Sequence, residues 1–373
     1  MTEKYTALYE EHKRLGASFT DFGGWQMPLK YNSELAEHHA VRQAAGLFDL
    51  SHMGEVKVTG PEAGAFLDYA LVGKLSAMRV GKAKYSLITN ADGGIIDDLI
   101  SYRLDDESFL VVPNAGNAPV VAAELAARAE GFDVTVDNIS EATSLVAVQG
   151  PNAEAILLAL VPAEHREAVT GVKYYAAAKV PMVLGAWTAE LLVARTGYTG
   201  EDGFEIYVSN DAAPVLWGAL LDAGEGRGLI PAGLACRDSL RLEAGMPLYG
   251  NELSLDLDPY AAGLGPVVAL SKEGDFVGRT ALEAKKQQVP ARRLVGLKGE
   301  GRRAGRSSYP VLADGAVVGE VTSGAPSPTL GYPVALAYVD AAFAEPGTSL
   351  AVDLRGKPEP FTVVELPFYK RGK

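Results

Sequence analysis

With 373 residues, the chain exceeds the size at which one hydrophobic core usually stops growing, so we expect two or three domains. Hydrophobic residues at 48% and charged residues at 22% exclude a disordered chain, and a net charge of −13 argues against a nucleic-acid-binding protein. The only cysteine, Cys236, excludes a disulfide framework and a cysteine-rich metal site, and it fits a reducing compartment.

The first segment of the chain is polar and helical in pattern. Residues 1–16 are charged throughout and carry no apolar stretch typical of a signal peptide, and no apolar run is long enough for a membrane span, so we expect a cytoplasmic protein that does not contact membranes. A helix is predicted over Tyr5–Leu15, with Gly16 ending it. Ser33 is a good N-cap for a second helix, which we expect to reach about Ala45.

From about residue 51 the pattern changes to short strands separated by glycine, asparagine and aspartate turns. The predicted strands are Glu55–Thr59, Ala83–Thr89, Asp98–Leu104 and Phe109–Val112. A helix over Asn117–Glu130 follows and ends at Gly131. The region 51–141 is therefore predicted to be a strand-rich α+β domain inserted into a discontinuous α+β domain formed by 1–50 and 142–280.

The resumed domain alternates strands and helices. Its predicted elements are strand Ser144–Gln149, helix Ala153–Leu160, strands Val180–Leu184, Glu190–Arg195 and Phe204–Val208, and helices Pro214–Ala223 and Leu234–Ala244. The polar, basic stretch Leu282–Arg293 predicts a domain boundary. Beyond it, short alternating strands with glycine and proline turns predict a C-terminal antiparallel barrel or sandwich over 290–373.

Two adjacent acids begin the strand that follows the Asn90–Gly94 turn. Neighbouring strand residues point to opposite faces, so only one of Asp97 and Asp98 can face a given pocket. Asp98 shares its face with Ile100 and Tyr102, whereas Asp97 is expected to face solvent. Asp98 is thus a candidate acid, base or cation stabiliser, and the alternative is an aspartate that merely caps the turn.

Two further segments combine charged groups with tight turns. Glycines in the Arg195–Glu205 segment predict a hairpin loop that places a tyrosine and carboxylates around a turn; it is either structural or part of a binding site. Arg237 and Arg241 share one face of the following helix. They either form surface ion pairs with Asp238 and Glu243, or Arg237 grips a ligand's carboxylate or carbonyl.

Several common site types are missing from the sequence. The five histidines have no metal-binding spacing, so no metal is expected. A Gly-x-Ser-x-Gly nucleophile elbow and a Gly-x-Gly-x-x-Gly dinucleotide loop are also absent, which argues against an α/β-hydrolase and against a nucleotide cofactor. No flavin is expected either.

The segments taken together resemble the T-protein family of the glycine cleavage system. The resemblance rests on Asp21–Pro28, Val41–Gly54, Asn90–Leu99, Gln149–Pro151, Arg195–Glu205, Ala232–Gly250 and Gly319–Gly331. These motifs cover nearly the whole chain in the family's order. The resemblance implies an α+β fold with three domains in a cloverleaf around a central folate site and a C-terminal antiparallel barrel-like domain.

The same resemblance implies an activity. Family members are aminomethyltransferases that take the aminomethyl group from the lipoyl arm of the H-protein and transfer its carbon to tetrahydrofolate. The products are 5,10-methylenetetrahydrofolate, ammonia and dihydrolipoyl H-protein. Tetrahydrofolate is therefore the expected co-substrate, the lipoylated H-protein is the expected partner, and neither nucleic acid nor a membrane is expected to bind.

The family's functional residues can be matched to this sequence position by position. Its essential aspartate matches Asp98. Its folate-contacting residues match Met53, Tyr85, Tyr102, Asn114, Tyr198, Glu205, Arg237 and Tyr369. Pro266 stands where many members carry a tryptophan, so one part of the aromatic wall is expected to differ.

Three alternative functions follow from related sequences or from the absence of catalysis. The folate-binding half of sarcosine- or dimethylglycine-oxidising enzymes would require a flavin domain that this chain does not show. A folate-binding protein of iron–sulfur maturation would carry a cysteine in the segment that here spans Lys272–Arg279. A binding module without catalysis would tolerate loss of Asp98.

Overall fold

The computed structural model describes residues 3–372. Two compact units make up the chain. Unit 1 comprises Met1–Leu67, Leu75–Tyr85 and Leu99–Arg237, and unit 2 comprises Asp68–Lys74, Ser86–Asp98 and Asp238–Lys373. The boundaries of the three domains and their cloverleaf arrangement stay a prediction.

Helices occur in both units, and the longest of them lie in unit 1. Their bounds are α1 Tyr9–Arg14, α2 Glu34–Gln43, α3 Ala63–Ala70, α4 Ala118–Arg128, α5 Ala153–Leu158, α6 Glu167–Thr170, α7 Ala213–Gly224, α8 Leu234–Glu243 and α9 Arg279–Lys286. Within residues 3–372, no helix is both long and apolar enough to cross a membrane.

Strands account for most of the regular structure. Those before residue 150 are β1 Ser18–Phe22, β2 Trp25–Lys30, β3 Ala45–Asp49, β4 Val56–Thr59, β5 Ala83–Thr89, β6 Ile95–Asp105, β7 Ser108–Pro113, β8 Thr135–Asn138 and β9 Thr143–Gln149. Those after it are β10 Ala177–Leu184, β11 Trp187–Ala194, β12 Gly203–Ser209, β13 Leu229–Pro231, β14 Arg292–Gly299, β15 Pro310–Ala313, β16 Ala316–Pro326, β17 Pro333–Asp340, β18 Ser349–Asp353 and β19 Pro358–Val364.

A six-stranded sheet forms the centre of unit 1. Its strand order is β10-β11-β12-β9-β3-β13, antiparallel except for the parallel pair β13 and β3. Strands β9 and β3 are buried along almost their entire length, and their apolar residues pack with Trp217 and Leu216 of α7. This core fixes the strand ends from which several candidate site residues project. A second, five-stranded sheet has the order β5-β6-β7-β4-β8.

The C-terminal part of unit 2 is a closed barrel. Its strand order is β14-β17-β16-β15-β18-β19, every recorded pair is antiparallel, and β14 closes the barrel by pairing with both β17 and β19. Inward-facing residues such as Leu297, Val321 and Phe361 fill its interior. The predictions of a mixed α+β fold and of a C-terminal antiparallel barrel are confirmed.

Predicted boundaries are wrong in the first two helices. The first helix is predicted from Tyr5, but α1 begins at Tyr9. The second error lies at the end of α2. Ser33 caps this helix as expected, since its hydroxyl accepts a hydrogen bond from the Ala36 backbone N–H. The helix ends at Gln43, however, and Ala45–Asp49 form β3, all five residues of which are buried. A short apolar run gives the same pattern in a buried strand as at a helix end, which explains the error.

Candidate functional site

A hydrogen-bonded cluster of polar side chains joins three segments of unit 1. Tyr102 of β6 is fully buried, and its hydroxyl lies 2.9 Å from Thr196 Oγ1 and donates to Glu205 Oε2 at 3.3 Å. Thr196 also donates its hydroxyl proton to the same Glu205 oxygen. The ring of Tyr207 lies edge-on to Tyr102, with 5.9 Å between centroids. Two predicted folate residues, Tyr102 and Glu205, therefore lie together.

The electrostatics of Glu205 reflect two opposing influences. Burial raises its pKa, while the hydroxyls of Thr196 and Tyr102 and the positive charge of Arg237 act to lower it. Glu205 pairs across β12 with Ala194 and Ala147, so the rigid centre of the sheet holds its backbone. A half-buried carboxylate in this setting can accept hydrogen bonds from a ligand that carries two adjacent N–H groups.

Arg237 and Tyr198 form the second part of the cluster in unit 1. The guanidinium carbon of Arg237 lies 4.6 Å from the centroid of the Tyr198 ring, within the range of a cation–π contact. This contact sets a planar cation over the face of an aromatic ring. Such surfaces favour flat heterocycles and carboxylate groups.

The loop between β11 and β12 carries Tyr198 and is anchored by ion pairs. Arg195 Nε donates to Asp202 at 2.9 Å, and its guanidinium also pairs with Glu154 at 2.9 Å. Arg42 pairs with Glu201 at 3.0 Å and donates to the Thr199 carbonyl oxygen at 2.6 Å. The loop is thus held from both sides, and Tyr198 projects from a fixed support.

Met53 and Asn114 come from two neighbouring segments of unit 1. The Gly54 backbone N–H donates to the Pro113 carbonyl oxygen at 3.1 Å. A Cβ at Gly54 would lie 2.5 Å from Ala118 Cβ and 2.8 Å from Pro113, so only glycine permits this approach. The residues that flank this contact, Met53 and Asn114, are both half-buried.

Two buried ionisable residues, His52 and Glu55, flank the Met53–Gly54 pair. Burial and the charge of Arg237 lower the pKa of His52 to about 3, and neither ring nitrogen has a hydrogen-bond partner among residues 3–372. Burial raises the pKa of Glu55 to about 9, and both of its carboxyl oxygens also lack a described partner. At neutral pH both side chains are therefore uncharged.

In unit 2 the Asn90–Gly94 turn forms as predicted and leads into β6. Asn90 Oδ1 accepts hydrogen bonds from the backbone N–H groups of Asp92 and Gly94, at 3.1 and 2.8 Å. Asp98 is half-buried, whereas Asp97 is fully buried. The expectation that Asp97 faces solvent is wrong, because the neighbouring residues on its own face of β6, Leu99 and Ser101, are buried as well.

The surroundings of the paired acids include a tyrosine that was not predicted. Tyr249 donates its hydroxyl to the Ile95 carbonyl oxygen at 3.2 Å. Burial raises the pKa of Tyr249, and the negative charges of Asp97 and Asp98 raise it further. Tyr249 is thus close enough to both carboxylates to sense their charge.

The remaining predicted residues lie in separate local settings. In unit 2 the Tyr369 backbone N–H donates to the Glu243 carbonyl oxygen at 2.8 Å, while the buried Glu243 carboxylate accepts from Ser327 and Thr329. Tyr85 is half-buried on β5 in unit 1. Pro266, in a short 3₁₀ turn of unit 2, is exposed.

Thr196 and its hydrogen-bonded neighbour Gln149 belong to the polar cluster, although the sequence patterns did not single them out. Their importance lies in hydrogen bonds between distant segments, which no local pattern reveals. In the part of the chain that the structure describes, no group of three or more His, Cys, Asp or Glu side chains could hold a metal ion.

Comparison with known families defines the class of protein to which this fold and cluster belong. Residues 8–272 match the GCVT N-terminal domain, and residues 292–370 match the glycine cleavage T-protein C-terminal barrel domain. The chain therefore belongs to the glycine cleavage T-protein family, a family of aminomethyl-transferring enzymes.

Individual relatives agree with this assignment over almost their full length. The chain is 57% identical to an aminomethyltransferase of Streptomyces avermitilis, over 99% of this chain and 98% of the relative. It is 56% identical to an aminomethyltransferase of Corynebacterium jeikeium, over 100% of both chains. The crystal structure of the glycine cleavage system aminomethyltransferase T from Bartonella henselae superposes with a TM-score of 0.90, at 38% identity over 99% of both chains.

Proposed function

We propose that the chain transfers the aminomethyl carbon of an aminomethyl-lipoyl H-protein to tetrahydrofolate. In this reaction the carbon–sulfur bond to the lipoyl arm and the carbon–nitrogen bond to the amino group both break, and two carbon–nitrogen bonds to the folate form. The two protons released by the folate nitrogens end on the lipoyl sulfur and on the departing ammonia. The products are 5,10-methylenetetrahydrofolate, ammonia and dihydrolipoyl H-protein.

The observation that carries this proposal is the setting of Glu205. Glu205 is a half-buried residue, and its carboxylate is held by two hydroxyl groups close to the positive charge of Arg237. The pterin ring of a folate presents adjacent ring N–H and amino donors, which match a carboxylate acceptor. The stacked Tyr198 and Arg237 side chains offer a flat surface on which an aromatic ligand can lie.

We propose that the folate contacts are made by Met53, Tyr85, Tyr102, Asn114, Tyr198, Glu205, Arg237 and Tyr369. Tyr102 contributes mainly by holding Glu205, because its ring is fully buried and its hydroxyl donates to that carboxylate. Tyr198 and Arg237 contribute the flat surface. The other members supply apolar, amide and aromatic contacts.

We propose Asp98 as the catalytic residue. Transfer of the one-carbon unit passes through a cationic, iminium-like species, which a fixed carboxylate stabilises. The same carboxylate can hold a proton of the folate amine. Asp98 is half-buried, so it is accessible, whereas its neighbour Asp97 is fully buried.

Thermal unfolding tests the proposed co-substrate. Tetrahydrofolate at 100 times its dissociation constant should stabilise the protein by about 2.7 kcal/mol, which raises its Tm measurably. Flavin mononucleotide and ATP at the same concentrations serve as controls and should leave the Tm unchanged. A Tm that responds to either control, and not to tetrahydrofolate, would remove folate from the proposal.

A further inference from the structure

The side chain of Thr196 lies between Glu205 and Tyr102 and is only 3% exposed. Its hydroxyl donates to Glu205 Oε2, and the Tyr102 hydroxyl reaches the same oxygen at 3.3 Å. Within residues 3–372, both hydrogen bonds recorded for the Glu205 carboxylate thus use Oε2. The second oxygen, Oε1, is left with its full capacity to accept from another donor.

The backbone of Thr196 is fixed by a buried glutamine at the end of β9. Gln149 is 2% exposed, and its Nε2 donates to the Thr196 carbonyl oxygen at 3.1 Å. Its Oε1 accepts from the Thr199 hydroxyl at 2.9 Å. The Gln149 side-chain amide therefore links two points of the β11–β12 loop and fixes the backbone of Thr196.

The fit around Gln149 leaves little room for displacement. A Cβ at Gly197 would lie 2.1 Å from Gln149 Oε1, and one at Gly203 would lie 2.5 Å from its Nε2. Both distances are shorter than real Cβ contacts, so glycine is required at both positions for the amide to occupy this place. The loop and the glutamine are thus matched in shape.

We propose that Thr196, held by Gln149, is a positioning residue that orients the Glu205 carboxylate toward the pterin. This inference rests on the proposed function, which assigns folate binding to Glu205. The terminal torsion of a glutamate is broad, so an untethered carboxylate presents its oxygens in many directions. Two hydroxyl groups that donate to Oε2 restrict this torsion before the ligand binds. Less conformational entropy of the carboxylate is then lost on binding, and the affinity is higher.

The charge state of Glu205 provides independent support. The Thr196 hydrogen bond lowers the pKa of Glu205, in opposition to the effect of burial. The other charged or titratable groups facing this carboxylate are Arg237, Tyr102 and Tyr207. Loss of the Thr196 hydroxyl should therefore raise the pKa of Glu205, and folate binding should then be lost at a higher pH on acidification.

The test compares Thr196→Val, which keeps the shape but removes the hydroxyl, with Thr196→Ser, which keeps the hydroxyl. Anaerobic titration with tetrahydrofolate should show a dissociation constant about 2 to 12 times higher for Thr196→Val, because the freed carboxylate must then be ordered when the ligand binds. Thr196→Ser should stay within about twofold of the unchanged chain, since its donor remains. When the affinity for tetrahydrofolate is measured against pH, its loss on acidification should occur at a higher pH in Thr196→Val only.

A double-mutant cycle with Glu205→Gln separates positioning from a direct contact. If Thr196 acts through Glu205, then adding Thr196→Val to Glu205→Gln produces no further loss of affinity. Fully additive losses would overturn the inference. Should Thr196→Val fail to fold, Thr196→Ala takes its place in the same titration and the same pH profile.

The outcomes also separate this inference from the function on which it rests. If Glu205→Gln binds tetrahydrofolate as tightly as the unchanged chain, the folate assignment of Glu205 is wrong. If Glu205→Gln binds weakly while Thr196→Val matches the unchanged chain in affinity and pH profile, the positioning role alone is wrong.

Discussion

Asp98 is the residue on which the proposed transfer depends most. We expect Asp98→Asn to lower the rate of methylenetetrahydrofolate formation by about 10²–10³ while the dissociation constant of tetrahydrofolate stays nearly unchanged. Asparagine has almost the same volume and still forms hydrogen bonds, but it lacks the charge that balances the cationic transition state. Interactions made only in the transition state lower turnover without weakening ground-state binding.

Asp97→Asn is the natural comparison, because strand alternation turns the two side chains to opposite faces. Asp97 is fully buried, so Asp97→Asn should lower the Tm of the protein while the rate of transfer changes little. If a folded Asp97→Asn variant proves inactive while Asp98→Asn turns over normally, then both the face assignment and the catalytic residue are wrong.

Glu205 and Arg237 should determine affinity for the folate and not its turnover. Each of Glu205→Ala and Arg237→Ala leaves a polar edge of the bound ligand without its partner, which costs roughly 1–3 kcal/mol. Titration with tetrahydrofolate measures this as a weakened dissociation constant. Arg227→Ala, at an exposed position in unit 1, is the matched control and should bind normally. Unchanged affinity in the Glu205 and Arg237 variants would remove both residues from the site.

At the scale of elements, the turn from β9 into α5 depends on Gly150. Its φ is +134°, and a Cβ there would lie 2.6 Å from the Ala44 carbonyl oxygen and 2.7 Å from that of Val41. Gly150→Ala should therefore lower the free energy of unfolding by roughly 1–3 kcal/mol or more, because neither backbone carbonyl can move aside.

Gly218 supplies the matched control for this prediction. It lies inside α7, and a Cβ there would meet nothing within 4 Å. Gly218→Ala should raise the free energy of unfolding by about 0.5–1 kcal/mol, since alanine favours the helix. Denaturant titration of both variants decides the matter, and a Gly150→Ala protein as stable as the unchanged chain would contradict the steric argument.

The sequence patterns succeeded where the controlling interactions are local. The Ser33 cap and the Asn90 turn each depend on contacts within four residues, and both form as predicted. Alternating short strands from Leu294 onward likewise predicted a barrel or sandwich, and a closed barrel forms there. The patterns failed at β3, which is buried on both faces and so carries no polar–apolar alternation, and at Asp97, a charged residue on a buried face.

The candidate site was predictable only in part. Resemblance to the family predicted that one site contains Tyr102, Tyr198, Glu205 and Arg237. In the structure, Tyr102 contacts Glu205 and Arg237 contacts Tyr198. Thr196 and Gln149 lie within segments that carry the resemblance, but the resemblance assigned them no role. Their roles depend on hydrogen bonds that join β9, the β11–β12 loop and β6, and such bonds leave no trace in local sequence.

At the scale of the whole molecule, Glu55 should make stability depend on pH. Its folded-state pKa is raised to about 9 from an ordinary value of 4.5, because of burial. Between pH 4.5 and about 9, the folded chain thus keeps a proton that the unfolded chain releases. The free energy of unfolding therefore falls as the pH rises through this range. The slope contributed by one such group is at most about 1.4 kcal/mol per pH unit.

Glu55→Gln tests this dependence, because the amide resembles the protonated acid and does not titrate. Its free energy of unfolding relative to the unchanged chain should increase steadily between pH 5 and about 8.5. The control is Glu130→Gln, at an exposed position after α4, which should follow the unchanged chain at every pH. Parallel curves for all three proteins would show that Glu55 does not titrate differently in the folded state.

The coupled formation of two products tests the proposed transfer most directly. The chain is mixed with aminomethyl-loaded H-protein, with and without tetrahydrofolate, and both ammonia and methylenetetrahydrofolate are measured over time. We predict that one methylenetetrahydrofolate forms for each ammonia released, and that omission of tetrahydrofolate abolishes the fast phase of both. Ammonia release that is unaffected by tetrahydrofolate, or folate consumption without ammonia, would contradict the transfer.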